Sequence, residues 1–332
     1  MNKQINAHLS DMDHTLSVDK RDHGGGLDAA RATFGGSRRD WLDLSTGINP
    51  HHFPVPDLAQ ADWTALPDEN AYKNVLQAAR RFWRVPAQAG IVAAAGASVL
   101  IAQLPGLIEP GSVVIPGPTY NEHAAAFYSH GWRTGAAPDA KAQVVVHPNN
   151  PDGRLWREKD LPLPKADLTV IDESFCDVQP DASLIDLTTR PGTVVLKSFG
   201  KFWGLAGMRL GFAIGDPTLI AVLRDRLGPW AVAGPALRIA AEALNDAKWA
   251  TDARIRLTED SQRLDTLMTT AGASVVGGTS LFRLYEVNGA SAWQDRLARH
   301  HVWSRIFPYS DTWLRLGLPP AHGWDRLERA AR

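Results

Sequence analysis

A single cysteine, Cys176, stands in the whole sequence of 332 residues. One thiol cannot build a disulfide framework or a cysteine-based metal site within one chain, so both are excluded. Cys176 itself reads either as a small core residue or as a nucleophile. No apolar stretch reaches the length of a membrane span, and residues 1–22 are polar, without the apolar segment of a secretory signal. Charge of one sign is lacking too: 35 Lys and Arg stand against 36 Asp and Glu, for a formal net charge of -1. A nucleic-acid footprint needs clustered basic residues, and there is no long basic block. Internal repeats and low-complexity segments are also missing. These absences leave a globular chain, expected in the cytoplasm, without a membrane or nucleic-acid partner. Hydrophobic residues at 44% against 21% charged suffice for a sizeable core.

What is present is a rhythm. Apolar runs rich in Val and Ile recur at 91–95, 113–115, 144–146, 168–171, 194–196 and 210–214, separated by amphipathic segments. Runs of that kind fit parallel strands buried on both faces, and the alternation predicts an α/β fold with a mostly parallel sheet. A helix opens after Pro67, where Asp68 and Glu69 suit its N-terminus and Ala71, Val75, Ala79 and Phe82 share one face. Beyond Pro217, helical patterns cover 219–226, 235–244 and 249–271. A smaller α+β part follows, strand-like at 273–276, 281–287 and 313–316, with a helix near 291–300. The expected organisation is a loose tail over 1–22, a segment 23–57 joining the small domain, a large domain over 58–230 and a small domain over 231–332.

Five of the runs give way at once to small or polar residues: Gly96-Ala97-Ser98, Pro118-Thr119-Tyr120, the stretch from His147 to Pro151, Asp172-Glu173-Ser174, and Ser198 to Lys201. Ligands of open α/β sheets bind beyond the carboxyl ends of strands, so these clusters are expected to converge on one crevice. Lys201, flanked by glycines and aromatics, can become a neutral amine that condenses with an aldehyde. Ser198 and Arg209 bracket it with a hydroxyl and a fork of donors suited to phosphate. Ala97 and Ser98 open a helix whose free N–H groups favour the same group. An aldehyde together with a phosphate describes pyridoxal 5'-phosphate. Asp172 could then pair a protonated ring nitrogen, Asn150 could bond a ring hydroxyl, and Tyr120 could stack on the ring. Each has a plainer reading alone: a helix cap or ion pair for Asp172, an Asn-Pro turn for Asn150, a core aromatic for Tyr120, a surface residue for Lys201. The Ser-x-x-Lys spacing also occurs in serine hydrolases. Three glycines after His23 read as a flexible loop or as backbone free to approach something closely.

The stretch His-Pro-Asn-Asn-Pro-Asp-Gly at 147–153 resembles the Asn-Pro-Asn-Asn-Pro-Thr-Gly signature of fold type I pyridoxal-phosphate enzymes. Asp172-Glu173-Ser174-Phe175 looks like their Asp-Glu-Ala-Tyr or Asp-Glu-Ala-Phe motif. Ser198-x-x-Lys201, with Arg209 in Gly-Met-Arg-Leu-Gly, is similar to their cofactor-lysine segment. The resemblance spans roughly residues 65–320 and implies the fold of these enzymes, a large α/β domain plus a smaller α+β domain. It implies that Lys201 bonds the cofactor aldehyde, Asp172 pairs the ring nitrogen and Asn150 meets the ring oxygen. Ala97, Ser98, Ser198 and Arg209 would hold the phosphate. Tyr72 would reach the phosphate of a neighbouring subunit, which implies a homodimer. Arg315 in Trp-Leu-Arg-Leu-Gly would bind the substrate α-carboxylate; without the resemblance it reads as a surface arginine on an edge strand.

Two families within that fold compete, the histidinol-phosphate aminotransferases and the threonine-phosphate decarboxylases of cobalamin synthesis. The runs His23-Gly24-Gly25-Gly26, residues 44–50 (Leu-Ser-Thr-Gly-Ile-Asn-Pro) and Pro229-Trp230-Ala231-Val232 resemble decarboxylase segments, and Phe175 agrees with them. The implied reaction is decarboxylation of L-threonine O-3-phosphate to (R)-1-aminopropan-2-yl phosphate, with His23 and Arg305 on the substrate phosphate. An aminotransferase acting on a phosphate-bearing amino compound is the alternative among enzymes, and a non-catalytic relative that binds a ligand or partner the alternative outside that class. Two positions depart from the pattern. Gly47 stands where the decarboxylases have a phosphate-contacting asparagine, so backbone N–H groups or water are expected to stand in and asparagine to be tolerated there. Asp152 replaces the usual threonine, with an effect expected only on the turn.

Overall fold

In the computed structural model, which describes residues 22–135 and 140–332, a seven-stranded sheet takes the centre of the chain. The loose tail expected over 1–22 lies outside the described residues except for Asp22. Strand β1 (Leu42–Asp43) stands apart from the large sheet. That sheet is made of β2 (Gly90–Ala94), β3 (Ser112–Val114), β4 (Arg133–Thr134), β5 (Ala142–Val146), β6 (Leu168–Asp172), β7 (Thr193–Ser198) and β8 (Gly211–Gly215). Their spatial order is β2-β8-β7-β6-β5-β3-β4. The neighbours from β4 to β7 pair in parallel, as the alternation of runs and helices predicts.

Strand β8 corrects one expectation. Residues 210–214 read as a parallel strand, yet β8 runs antiparallel to both β2 and β7. Only residues 199–210 join β7 to β8, with a short 3₁₀ turn at Ala206–Met208 and no crossover helix. A parallel neighbour would need a crossover over the face of the sheet, usually a helix, and this segment forms none. All five residues of β8 are buried, so its apolar pattern carries no mark of its direction. Strand β4 escapes sequence reading for the opposite reason: both its residues are exposed at the sheet edge.

Alternate residues of the central strands enter two cores. Val144, Val170, Val194, Leu196 and Ala213 face one cluster, and Val145, Ile171, Val195, Phe212 and Ile214 the other. Burial on both faces is why the runs are unbroken rather than alternating. Helix α1 (Leu27–Phe34) packs apart from the sheet, against Trp41 and Ala298, and α2 (Gln60–Thr64) is short. The helices that cover these faces begin with α3 (Glu69–Phe82), α4 (Ala97–Gln103) and α5 (Glu122–Ser129). After the sheet come α6 (Pro217–Leu227), α7 (Gly234–Asn245) and the long α8 (Ala247–Thr270). Asp68 caps α3, its carboxylate accepting from Ala71 N at 2.7 Å.

The remaining chain builds a second, four-stranded sheet from β9 (Ser274–Thr279) and β10 (Phe282–Glu286), followed by α9 (Ala290–Ala298). Strand β11 (Val302–Trp303) pairs in parallel with β1, so the N-terminal segment is stitched to this part of the chain. Then β12 (Arg305–Phe307) and β13 (Ser310–Gly317) complete the antiparallel sheet in the order β12-β13-β10-β9, and α10 (Trp324–Ala331) closes the chain. The register sets Arg305 directly opposite Arg315. Residues directly opposite share a face of the sheet, so the two arginines are neighbours despite ten positions of separation in sequence.

Candidate active site

The loop after β7 carries Lys201 and is held from below by aromatic rings. Phe199, Phe202 and Trp203 are fully buried. Trp203 stacks between Phe199 and Trp249, with ring centroids at 5.1 and 5.3 Å. The Asn-Pro turn after β1 clamps the same loop from above. Asn49 N donates to Lys201 O at 3.0 Å, Asn49 Nδ2 to Phe202 O at 2.8 Å, and Phe53 N to Trp203 O at 2.9 Å. Lys201 therefore sits on a backbone with little freedom. Burial, and then the positive charge of Arg315, push its pKa down to about 8, against an opposing pull from Asp172. An appreciable fraction is thus a free amine near neutral pH.

Asp172, the last residue of β6, is buried and its carboxylate is fully supported. His123 Nε2 of α5 lies 2.8 Å from Oδ2, while Ser174 gives Oδ1 its hydroxyl at 2.6 Å and its backbone N–H at 3.0 Å. Burial works to raise its pKa, but His123 and Ser174 outweigh it and hold the group below the usual carboxylate value. The next residue points to the other side of the sheet: Glu173 takes a hydrogen bond from buried Lys197 Nζ at 2.5 Å. Cys176 lies in that same layer, fully buried, with its thiol pushed well up by burial and the Glu173 charge. It is a core residue without nucleophilic character.

One cavity is lined by Ala97, Ser98, Tyr120, Asn150, Asp172, Ser198, Lys201 and Arg209, together with Ser174 and Phe175. The clusters from five strand ends thus meet. At its far end the side chain of Arg209 lies against Gly96. A Cβ on Gly96 would stand 2.6 Å from Arg209 Nη2, and one on Gly211 only 2.4 Å from Ala97 N, so this cradle exists only with glycine at both positions. A guanidinium, the Ser198 hydroxyl and the first N–H groups of α4 form a donor set that fits a phosphate. A buried carboxylate at one end, a phosphate cradle at the other and a low-pKa amine at the side match the shape and charge of pyridoxal phosphate.

A second cavity adjoins the first through Tyr120 and Asn150, which line both. It contains His23, Arg305 and Arg315, with Asp22, Thr119 and Tyr309 among its other walls. Arg315 is 5% exposed; burial, then the nearby Arg305 charge, push its pKa down to about 10, so it remains a cation at neutral pH. It donates to Asn150 Oδ1 and, at 2.6 Å, to Ser45 O, while its buried Nε has no hydrogen-bond partner among the described residues. A buried donor left over in this way is suited to an incoming anion. The glycine run after His23 is packed rather than loose: a Cβ on Gly24 would stand 2.5 Å from Ser45 O, and Gly25 N donates to Ser45 Oγ at 2.7 Å.

Two residues of the expected set lie elsewhere. Gly47 lines neither cavity. A Cβ there would come within 2.8 Å of Phe282 Cδ1 and 2.9 Å of Phe175 Cε1, so the expectation that asparagine is tolerated at 47 is overturned by ring packing. Tyr72 belongs to a different, open cavity of about 520 Å³ beside Arg224 and Trp230, and its hydroxyl accepts from Ala93 N of the same chain at 3.0 Å. Asp152 behaves as its position suggests: it accepts from Asn149 Nδ2 at 2.8 Å and Arg154 N at 3.0 Å and so closes the turn. Sequence reading missed His123 and Ser45, and placed Ser174 in the crevice without its role as a donor to Asp172. His123 stands in an alanine-rich helix, Glu-His-Ala-Ala-Ala-Phe, and a lone histidine among small apolar residues was the one signal, without any mark of its partner.

The family model for class I and II aminotransferases matches residues 133–332. A threonine-phosphate decarboxylase of Sinorhizobium sp is 38% identical over 92% of this chain and 95% of its own. Another, from Pseudomonas aeruginosa, is 37% identical over 93% and 96%. The crystal structure of histidinol-phosphate aminotransferase from Sinorhizobium meliloti, in complex with pyridoxal-5'-phosphate, superposes with a TM-score of 0.80 over 96% of both chains at 18% identity. The chain belongs to the class I and II aminotransferase family and, within it, groups with the threonine-phosphate decarboxylases.

Proposed function

We propose that this protein binds pyridoxal 5'-phosphate and decarboxylates L-threonine O-3-phosphate to (R)-1-aminopropan-2-yl phosphate and carbon dioxide, the product serving the aminopropanol arm of cobalamin synthesis. The observation that carries the reading is the likeness over more than nine-tenths of the chain to two threonine-phosphate decarboxylases. Two cationic groups set side by side beyond Asn150 support it, because this substrate has two anionic ends.

When bound, the cofactor supplies an aldehyde for the amine and a conjugated ring that accepts the electron pair released at the amino carbon. Asp172, kept anionic by His123 and Ser174, would pair the ring nitrogen and favour its protonated form. Ser198, Arg209 and the N–H groups of Ala97 and Ser98 would hold the cofactor phosphate, and Tyr120 and Asn150 would position the ring. Arg315 receives the α-carboxylate on its spare Nε–H and orients the bond that breaks. Lys201 Nζ would bond the cofactor aldehyde and, as a free amine, would be placed to deliver a proton to the carbon that loses carbon dioxide. Arg305 and His23 take the substrate phosphate.

We further take the active form to be a cytoplasmic homodimer. Trp230, 59% exposed, lines the cavity that holds Tyr72, and Trp63 and Leu66, just before its Pro67 wall in sequence, are each 68% exposed, apolar surface suited to a second copy of the chain. Among the described residues, no helix is long and apolar enough to cross a membrane. Product analysis of the holoenzyme, with threonine phosphate and histidinol phosphate offered side by side, tests the reaction. Carbon dioxide and aminopropanol phosphate from the first are expected; a keto product without carbon dioxide would make the protein an aminotransferase.

A further inference from the structure

The two basic groups that the proposed function assigns to the substrate phosphate are both already engaged by carboxylates of the chain itself. Arg305 Nη1 donates to Asp22 Oδ1 and Nη2 to Asp22 Oδ2, each at 2.6 Å, a two-pronged pairing of the kind guanidinium groups make with phosphate. His23 Nε2 lies 2.9 Å from Glu122 Oε1. The Arg305 side chain is 12% exposed and that of Asp22 39%, so the pair is partly shielded from water and still within reach of an incoming solute.

The segment that delivers Asp22 is fastened around it. Asn121 Nδ2 donates to Asp22 O at 2.9 Å, and Arg305 Nη1 also reaches His23 O at 2.5 Å. Gly24 then presses on Ser45, whose carbonyl accepts from Arg315 at 2.6 Å. One short segment therefore touches both arginines, Arg305 directly and Arg315 through Ser45. Asp22 and the other walls of this cavity enclose the place where the second anionic end of a substrate would lie.

We propose that Asp22 is a specificity-determining residue, an internal carboxylate that occupies the Arg305 subsite and must be displaced by a substrate bearing a phosphate at its far end. The inference rests on the assignment of Arg305 to the substrate phosphate. A dianionic phosphate presents more charge and more acceptor oxygens to Arg305 and His23 than one carboxylate does, so it displaces Asp22. An unphosphorylated amino acid offers nothing to exchange and leaves the pair closed. The arrangement lowers affinity for every ligand of the open subsite by the same factor, the inverse of the fraction of time the pair is open, so only a ligand whose contacts with Arg305 and His23 exceed that cost occupies it.

Calorimetric titration of the holoenzyme with inorganic phosphate tests this without turnover. If the internal pair is closed about nine-tenths of the time, Asp22→Asn binds phosphate roughly tenfold more tightly than wild type. The double variant Asp22→Asn with Arg305→Ala loses that gain. Asp22→Ser serves as a second single variant, since it removes the charge with a smaller side chain and is expected to match Asp22→Asn. Equal or weaker phosphate binding in both single variants overturns the proposal and makes Asp22 a support that orients Arg305. Failure of every form to bind phosphate overturns it as well. Carbon dioxide release from threonine phosphate by the wild type is scored separately. A phosphate gain in Asp22→Asn without such release leaves the internal competitor standing and removes the substrate assignment; release without the gain does the reverse.

Discussion

The two halves of the site are built by different means. Around Lys201 and Asp172 the polar groups follow the ends of central strands or sit on a helix packed against one; Asp172 is tied by short bonds to His123 and Ser174, and the Lys201 backbone to Asn49. Around Arg305 the walls come from an antiparallel edge strand and from residues 22–24, and the cationic groups hold the chain's own carboxylates. The first half is preorganised for one cofactor that stays. The second is an exchangeable surface for a substrate that comes and goes. Rigid support lowers the cost of binding and of charge stabilisation, whereas an occupied subsite makes the incoming anion compete.

Substitutions separate the halves by size of effect. The largest is expected from Lys201→Ala, which removes the amine: the protein should fold, keep its far-ultraviolet dichroism, and lack the visible absorbance of lysine-bound cofactor. A variant with that absorbance and full turnover would move the reaction to another lysine. Next comes Asp172→Asn, which leaves His123 and Ser174 without their anion. Breaking a buried charged pair costs ~3–5 kcal/mol, and if most of that falls on the transition state the rate drops by roughly two to four powers of ten. Unchanged single-turnover rates would break the claim that this half is preorganised around Asp172.

Arg305→Ala belongs to the exchangeable half and should cost less. Charge-assisted hydrogen bonds contribute ~1.5–3 kcal/mol each, so kcat/KM for threonine phosphate should fall roughly ten- to a hundredfold or more. Turnover of unphosphorylated threonine should be scarcely altered; equal losses on both substrates would point to damaged structure. Smaller still is the effect of Gly47→Asn, which forces a side chain between Phe175 and Phe282 and should lower stability by ~1–3 kcal/mol. A denaturant midpoint equal to wild type would show that the rings yield. The mildest perturbation is pH. Because Lys201 titrates near pH 8 rather than 10.5, its amine is neutral above that point and protonated below it. The rate at which the cofactor-free enzyme captures pyridoxal phosphate should therefore rise with pH, roughly tenfold per unit below 8, and level off above it. A rise that continues to pH 10 would mean that burial and Arg315 do not shift the lysine.

Much of the first half was legible in the sequence and little of the second. Strand-end clusters such as Asp172-Glu173-Ser174 and Ser198 to Lys201 are local, and the order of runs places them at one edge of a sheet whatever the loops do. The partner of Asp172 is 49 positions away, and no pattern in Glu122–Ser129 states that His123 turns toward it. Asp22 and Arg305 are 283 positions apart, and their pairing depends on how the N-terminal segment folds back over β12. Gly47 misled because the missing side chain was read as a missing contact, whereas two rings fill its space.

By itself the sequence determined the elements and the chemistry they could carry. Val- and Ile-rich runs make strands wherever both faces are covered, an amine, a carboxylate and phosphate donors follow them in a fixed order, and one cysteine leaves nothing to cross-link. Tertiary structure alone decided the antiparallel course of β8, the neutral-leaning lysine, the anionic aspartate and the closed state of the Arg305 subsite. The course of β8 follows from how the 199–210 connection returns beside β7; the other three are set by burial and by the charge of groups distant in the chain, and desolvation and Coulomb interaction act through space rather than along the backbone.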